Sequence, residues 1–320
     1  MKYVLLVLSL VALAAAPALA SVPDDLQRVS VTIKAGDAQG SGTLVTRQIG
    51  EDTVTFVWTA AHVVDGLRTT RTIVTPQGTS KILVEYRDAE IVQERQQAGR
   101  RVGEVKYDCK IVKVSDADYG EDLAVLMVRC KGAYPLSVCA KFHRDINYIP
   151  PIGVDLSHCG SLLGQFVANS YTTGVLSQTG RTLPMKGANV KVFDQVTAVA
   201  FPGSSGGGMF LKANGEYIGM LTQGVMKLQG FNFIVPVRRI HAWSKAARIE
   251  WAIDPNAEMP TLKEIDAIPV EDAGQSPGGY PQRSPAGGID EGGTPCSKPP
   301  FNFNDAILWV EKFARSLRAG

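Results

Sequence analysis

Between Val29 and about Val237 the hydrophobic residues come in short runs. VSVTI, TVTFVW, KILVEY, CKIVKV, LAVLMV, YTTGVL, NVKVF and GFNFIVPV are rich in β-branched and aromatic residues, and Gly, Asp, Asn and Pro stand between them. Runs of this length with turn residues at their ends predict strands. The lack of helices alternating with them predicts an all-β sandwich or barrel rather than an α/β sheet. The period changes in PVRRIHAWSKAARIEWAI, residues 236–253, where Ile240, Trp243 and Ala247 recur at helical spacing behind Pro236. This predicts a helix packed on the second half of the strand region. From Asp254 the periodicity ends. Residues 271–300 hold six Pro and seven Gly, so a linker is expected over 254–303. NDAILWVEKFARSLRAG then regains helical spacing at Ile307, Val310, Phe313, Ala314 and Leu317, with Asn304 as cap. An amphipathic helix over 304–318 is expected, with an apolar stripe suited to its own barrels, a partner or a membrane surface.

The first twenty residues, MKYVLLVLSLVALAAAPALA, have one lysine, an apolar run and a small-residue site at Ala18-Leu19-Ala20. That is the pattern of a secretory signal peptide, with Ser21 as the expected mature terminus. Export suits the cysteines. Cys109 and Cys130 flank a turn between two strand patterns, and a simple hairpin would set them nearly opposite. Cys139 and Cys159 form the second expected pair, which leaves Cys296 unpaired. Cys139, His143, His158 and Cys159 also make an alternative zinc set of the Cys₂His₂ type; the disulfide reading is preferred and no metal is expected. A net charge of +2 over 320 residues singles out no partner. The basic cluster RQQAGRR at 95–101 has no aromatic stacking platform beside it, so no nucleic-acid partner is expected.

Chemistry concentrates in FPGSSGGGMF, Phe201 to Phe210. A serine hydroxyl is a poor nucleophile unless a base stands within hydrogen-bond reach, a third group orients that base, and N–H donors face the developing oxyanion. Flanking glycines let backbone amides approach a substrate. In this register Ser205 is the nucleophile, Ser204 its neighbour, and the amides of Gly203 and Ser205 point into one hole. His62, in VWTAAHVV, stands where a buried-type strand ends among small residues. Asp122 opens the apolar strand of YGEDLAVLMV, with Asp116, Asp118 and Glu121 as rival acids.

TAAH, DLAVL and GSSGG in the order His, Asp, Ser resemble the chymotrypsin/trypsin clan of serine peptidases, and more closely its bacterial HtrA/Deg-like branch. GSGTLV at 40–45, TTGVLSQTGR at 172–181, NGEYIGMLTQG at 214–224 and GFNFIVPV at 230–237 resemble further segments of that branch. The resemblance implies two Greek-key antiparallel β-barrels over 27–253, the first over about 27–131 and the second over about 132–237, with the helix 236–253 behind them. It implies His62, Asp122 and Ser205 as catalytic residues, Gly203 and Ser205 as the oxyanion hole, and Thr222 as a support for Asp122. It places Val199 and Ala200 at the floor of a specificity pocket, with Thr222, Gln223, Gly224 and Gly230 as walls. None of these is acidic, so cleavage after apolar or small residues is expected, and no cofactor is needed. Ser204 stands where trypsin-like enzymes have Asp, which removes the partner that a buried N-terminal ammonium would need. No PDZ pattern is visible. The expected function is a secreted or envelope serine endopeptidase acting on protein or peptide substrates. Two other readings are a catalytically inactive homologue that binds peptides or a partner, and a processing protease of viral or phage type with one dedicated substrate.

Overall fold

The computed structural model describes residues 21–272 except 77, 98–99, 185–189 and 225–229. The expected leader 1–20, the chain from 273 to 303 with Cys296, and the expected helix 304–318 lie outside the described residues. Ser21 caps the first helix, α1 (Val22–Arg28), through a reciprocal pair with Asp24, and Leu26 buries the helix against the strands that follow.

Six strands form a closed barrel. They are β1 (Ser30–Ala35), β2 (Ala38–Ile49), β3 (Asp52–Thr59), β6 (Ala89–Gln97), β7 (Arg100–Ser115) and β8 (Leu123–Val128), in the order β1-β2-β3-β8-β7-β6 with β6 pairing back onto β1. A second, exposed hairpin, β4 (Arg68–Val74) and β5 (Ser80–Tyr86), stands outside the ring. The later strands are β9 (Lys141–Phe142), β10 (Asp155–Gly160), β11 (Leu162–Gln165), β12 (Ser170–Pro184), β13 (Val190–Val196), β14 (Gly208–Leu211), β15 (Glu216–Gly224) and β16 (Asn232–Pro236). The sheet order is β14-β10-β12-β13-β16-β15-β9, and β14 also pairs with β15. That extra pairing closes six strands into a second ring, with β9 lying parallel on its outside. The chain is thus all-β with two antiparallel barrels, as its strand pattern predicts. No helix among the described residues is long and apolar enough to cross a membrane.

The helix after β16, α3 (Val237–Ala246), lies along β15 and β16 of the second barrel, as expected. It buries Val237, Ile240 and Trp243, and it reaches back to the first barrel. The Trp243 ring meets Trp58 of β3 edge-on at 5.8 Å, and Trp251 meets Phe56 at 4.9 Å. The Trp58 indole donates to the Ala252 carbonyl at 3.1 Å, and Arg47 Nε donates to the Trp251 carbonyl at 2.9 Å.

The segment expected to be linker from Asp254 is packed as far as Asp272. A short helix, α4 (Leu262–Asp266), is capped by Thr261 and Glu264 and buries Ile265. Beyond it the chain runs parallel to β7, where the Val114 amide donates to the Val270 carbonyl at 2.7 Å and Val114 bridges to Glu271. Glu271 accepts from Arg68 Nε at 2.6 Å and from the Tyr86 hydroxyl at 2.9 Å. Buried Lys113 donates to the carbonyls of Pro269 and Glu271, each at 2.9 Å, and pairs with Asp272 at 3.2 Å. This strap joins β4, which follows the His62 segment, to β7, which leads into Asp122.

The expected disulfides are absent: Cys109, Cys130, Cys139 and Cys159 are free thiols. β7 and β8 do pair as a hairpin, but its register sets Cys109 opposite Val128. Cys109 therefore points into the core, while Cys130 lies exposed beyond the strand end. Cys139 bridges to Val45 of the first barrel, whereas Cys159 lies on β10 of the second, between Tyr171 and Gly208. Burial pushes the Cys159 thiol up to about 12. The alternative zinc set is not assembled either. His143 stacks on Tyr148, and His158 is buried with Nδ1 donating to the Gly208 carbonyl at 3.0 Å. Burial holds His158 down at about 4, against the Gly208 bond, so it stays neutral.

The strap generates a prediction. Glu271→Gln removes the charge facing Arg68 while preserving shape. The pair is partly exposed, so the loss is expected to be about 1–2 kcal/mol of unfolding free energy. Urea unfolding of the variant against the unaltered chain measures this; an unchanged midpoint would mean that the strap rests on the barrel without holding it.

Candidate active site

His62 lies in a single helical turn, α2 (Ala61–Val64), at the end of β3. Buried Ala60, Ala61, Val63 and Val64 anchor that turn, and the imidazole alone faces the cleft, 36% exposed. Asp122 stands opposite, 4% exposed. Its φ of +57° is a left-handed conformation that Asp tolerates better than most residues. The loop before it is tied down from within. Asp116 Oδ1 accepts from the amides of Asp118 and Tyr119, at 2.8 and 2.9 Å. Glu121 pairs with Lys191 and Arg239. Of the rival acids, only Asp122 turns to the histidine.

The carboxylate of Asp122 accepts from the His62 backbone amide at 3.0 Å and faces His62 Nδ1 at 2.9 and 3.0 Å. An ionised carboxylate donates nothing, so Nδ1 carries the proton and Nε2 is left as the basic nitrogen. The Thr222 hydroxyl, from β15, closes on Asp122 Oδ2 with a short hydrogen bond. Burial opposes a charged imidazole, but the charge and hydrogen bond of Asp122 outweigh it, and the His62 pKa lies above its ordinary value.

The serine turn shows why the sequence uses so many glycines. Ser204 N donates to the Phe201 carbonyl at 2.9 Å, a tight turn around Pro202 and Gly203. Gly203 has φ +101°, and a Cβ there would lie 2.4 Å from the Gly164 nitrogen and 2.6 Å from the Ser161 carbonyl. Gly206 has φ +87°, and its Cβ would lie 2.2 Å from Thr59 Oγ1 and 2.3 Å from the Ser41 carbonyl. A side chain at Gly206 would push against the first barrel, and one at Gly203 would collide with the 161–164 backbone. The two serines face opposite ways. Ser204 is buried, and its hydroxyl accepts from the Phe201 amide at 2.9 Å. Ser205 is half-buried, and its hydroxyl donates to the Thr222 carbonyl at 3.3 Å rather than to His62. Among the described residues neither the Gly203 nor the Ser205 amide has an acceptor, while the amides of Ser204, Gly206 and Gly207 are all used. Two donors are thus left without an acceptor beside the half-buried hydroxyl.

The expected pocket residues are scattered around this turn. Val199 and Ala200 lead into it, half-buried, and the Val199 carbonyl accepts from Thr172 Oγ1 at 3.2 Å. Gln223 and Gly224 end β15, paired with Phe233 and Asn232, and Gly230 follows at φ +82°. Residues 225–229 lie outside the described residues. Sequence reasoning missed Asn232, which is buried on β16 and donates to the Ala198 carbonyl at 2.7 Å. A polar residue inside the otherwise apolar GFNFIVPV strand was the available signal.

No protein-family model matches the chain, and no curated protein matches it. Solved structures do. Deg5 is 22% identical, with 73% of this chain and 94% of that one covered and a TM-score of 0.49. The HtrA-type protease AlgW with a tripeptide is 20% identical, with 72% of this chain and 63% of that one covered and a TM-score of 0.50. The serine endoprotease from Yersinia pestis is 18% identical, with 72% of this chain and 65% of that one covered and a TM-score of 0.46. The chain spans less than two thirds of the length of the last two. Identities this low speak to fold and not to activity. Together with the two closed rings of strands, the likeness to AlgW, at a TM-score of 0.50, shows that this chain has the chymotrypsin-like double-barrel fold.

Proposed function

We propose that this protein is a serine endopeptidase, acting outside the cytoplasm, that hydrolyses peptide bonds of protein or peptide substrates through an acyl-enzyme. One observation carries the reading: a buried carboxylate orients Nδ1 of His62, and Thr222, which donates to that carboxylate, accepts from half-buried Ser205, whose amide and that of Gly203 are unengaged among the described residues. In the proposed cycle the Ser205 hydroxyl rotates from the Thr222 carbonyl toward His62 Nε2. A hydroxyl displaced from its base is common before substrate binds. Ser205 Oγ then bonds to the substrate carbonyl carbon as its proton passes to Nε2. The oxyanion so formed accepts from the Gly203 and Ser205 amides. Collapse breaks the carbon–nitrogen bond, and His62 returns the proton to the leaving amine. Water, deprotonated by the same imidazole, releases the acyl group. Asp122 stabilises the imidazolium throughout.

Labelling with a fluorophosphonate tests the nucleophile. Ser205→Ala is expected to abolish both labelling and hydrolysis of casein. Ser204→Ala loses only the bond to the Phe201 amide and is expected to keep most activity. Labelling that survives Ser205→Ala would sink the assignment, and no labelling of the unaltered chain would favour a binding module.

The pH profile tests the base. Neutral His62 is the active form, so kcat/KM is expected to rise with pH through a pKa above the ordinary 6.5. In Asp122→Asn the main charge opposing burial is lost and only the weaker influence of Asp65 and Asp118 remains, so the acid limb moves to lower pH. The rate falls by about 10⁴-fold because the wrong tautomer is held. A limb that does not move would show that Asp122 does not act on His62.

Substrate choice follows from the pocket. Val199, Ala200, Thr222 and Asn232 supply no negative charge, and a buried Lys or Arg of the substrate would lack a counter-ion. Asn232 also occupies space that a glycine would leave. Cleavage is therefore expected after small or apolar residues, and Asn232→Gly is expected to widen the preference toward larger ones. A peptide library cut mainly after Arg or Lys would overturn this.

A further inference from the structure

A residue of the other barrel is hydrogen-bonded to the serine turn twice. Ser41 lies near the start of β2 and is wholly buried. Its Oγ donates to the Gly203 carbonyl and accepts from the Ser161 amide, both at 2.7 Å. Its backbone amide donates to the Ser205 carbonyl at 2.8 Å, and its carbonyl accepts from Thr59 Oγ1 at 2.8 Å. Because the Ser161 amide occupies a lone pair of Oγ, the single hydroxyl proton is directed at Gly203. Ser161 is itself tied to Thr32 by a hydroxyl–hydroxyl contact of 2.5 Å.

The geometry has a direct consequence for the two unengaged amides. A peptide plane carries its carbonyl and the next residue's N–H on opposite edges. Pinning the Gly203 carbonyl to Ser41 therefore turns the Ser204 amide to Phe201, as observed. Pinning the Ser205 carbonyl to the Ser41 amide likewise turns the Gly206 amide to Leu221. The plane between Ser204 and Ser205 is held by the Gly207 amide. The plane that carries the Gly203 N–H has no such tie, and glycine has no Cβ to restrict it. The turn closed between Ser204 and Phe201 and the neighbouring plane fixed by Ser41 Oγ limit how far it can rotate.

We propose that Ser41 is the positioning residue of the oxyanion hole: through the Gly203 carbonyl, its hydroxyl holds the Gly203 N–H aimed at the substrate oxygen. The inference rests on the endopeptidase reading above. It assigns to the first barrel, which supplies His62 and Asp122, a hold on the donor half of the site as well.

The test is Ser41→Ala, read with a peptide substrate, a peptide boronate and a product peptide. A boronate bonded to Ser205 presents a tetrahedral oxyanion, whereas a product peptide does not. The expected result is a kcat lower by about 10- to 100-fold with KM nearly unchanged, smaller than the loss of a whole donor. Boronate affinity should fall by the same factor while product affinity holds. The acid limb of the pH profile should stay in place, since the His62–Asp122 pair is untouched. Ser41→Thr keeps the hydroxyl and is expected to restore much of kcat. If Ser41→Ala does not fold, Ser41→Cys, of similar size but a weak donor, gives the same comparison. A lowered melting temperature with kcat and boronate affinity intact would overturn the proposal and leave Ser41 a structural bond. If the unaltered chain neither takes up a fluorophosphonate nor cleaves peptides, the endopeptidase reading fails and this inference falls with it.

Discussion

A carboxylate withdrawn from water has to be surrounded by donors, and Asp122 meets that requirement with three groups from two separate elements. The amide and ring of His62 come from α2, and the Thr222 hydroxyl comes from β15 of the second barrel. Hydrogen bonds to a charged group are worth about 1.5–3 kcal/mol each, and a buried charge left without them costs far more. The position of Asp122 therefore dictates how the two barrels meet. Its left-handed backbone, the braced loop before it and the charged contacts of Glu121 all deliver one side chain to that point.

The glycine run is the steric counterpart of the same constraint. At Gly206 the serine turn presses on the first barrel's Ser41 and Thr59, and at Gly203 it presses on the 161–164 backbone. Gly207 abuts the ring of His158, whose neutrality lets an imidazole fill that space without a counter-charge. A turn squeezed on three sides has little freedom, and under the proposed function that suits its unengaged amides, because no reorganisation is then left for the reaction itself.

The strands were legible because each is a local run of apolar residues, and the chemical residues because each sits in a short distinctive string. What depended on distance was not legible. The hairpin that should oppose Cys109 and Cys130 forms, but a register two residues off separates them, and register is set by the whole ladder. The strap over 254–272 has little periodicity; it is held by ion pairs and carbonyls from residues such as Arg68 and Lys113. Ser41 bonds to a carbonyl 162 positions away, which leaves no mark in either neighbourhood. Asn232 stood in plain view, yet its meaning lay in the Ala198 carbonyl opposite.

The path of the chain also orders the events of synthesis. Strands of the first barrel leave the ribosome well before their covers. The third donor for Asp122 follows it by 100 residues, the acceptor for the Trp58 indole follows by 194, and the acid for Arg68 by 203. A growing chain therefore carries histidine and aspartate for a long interval without the serine, and later carries all three without the strap that clasps the first barrel.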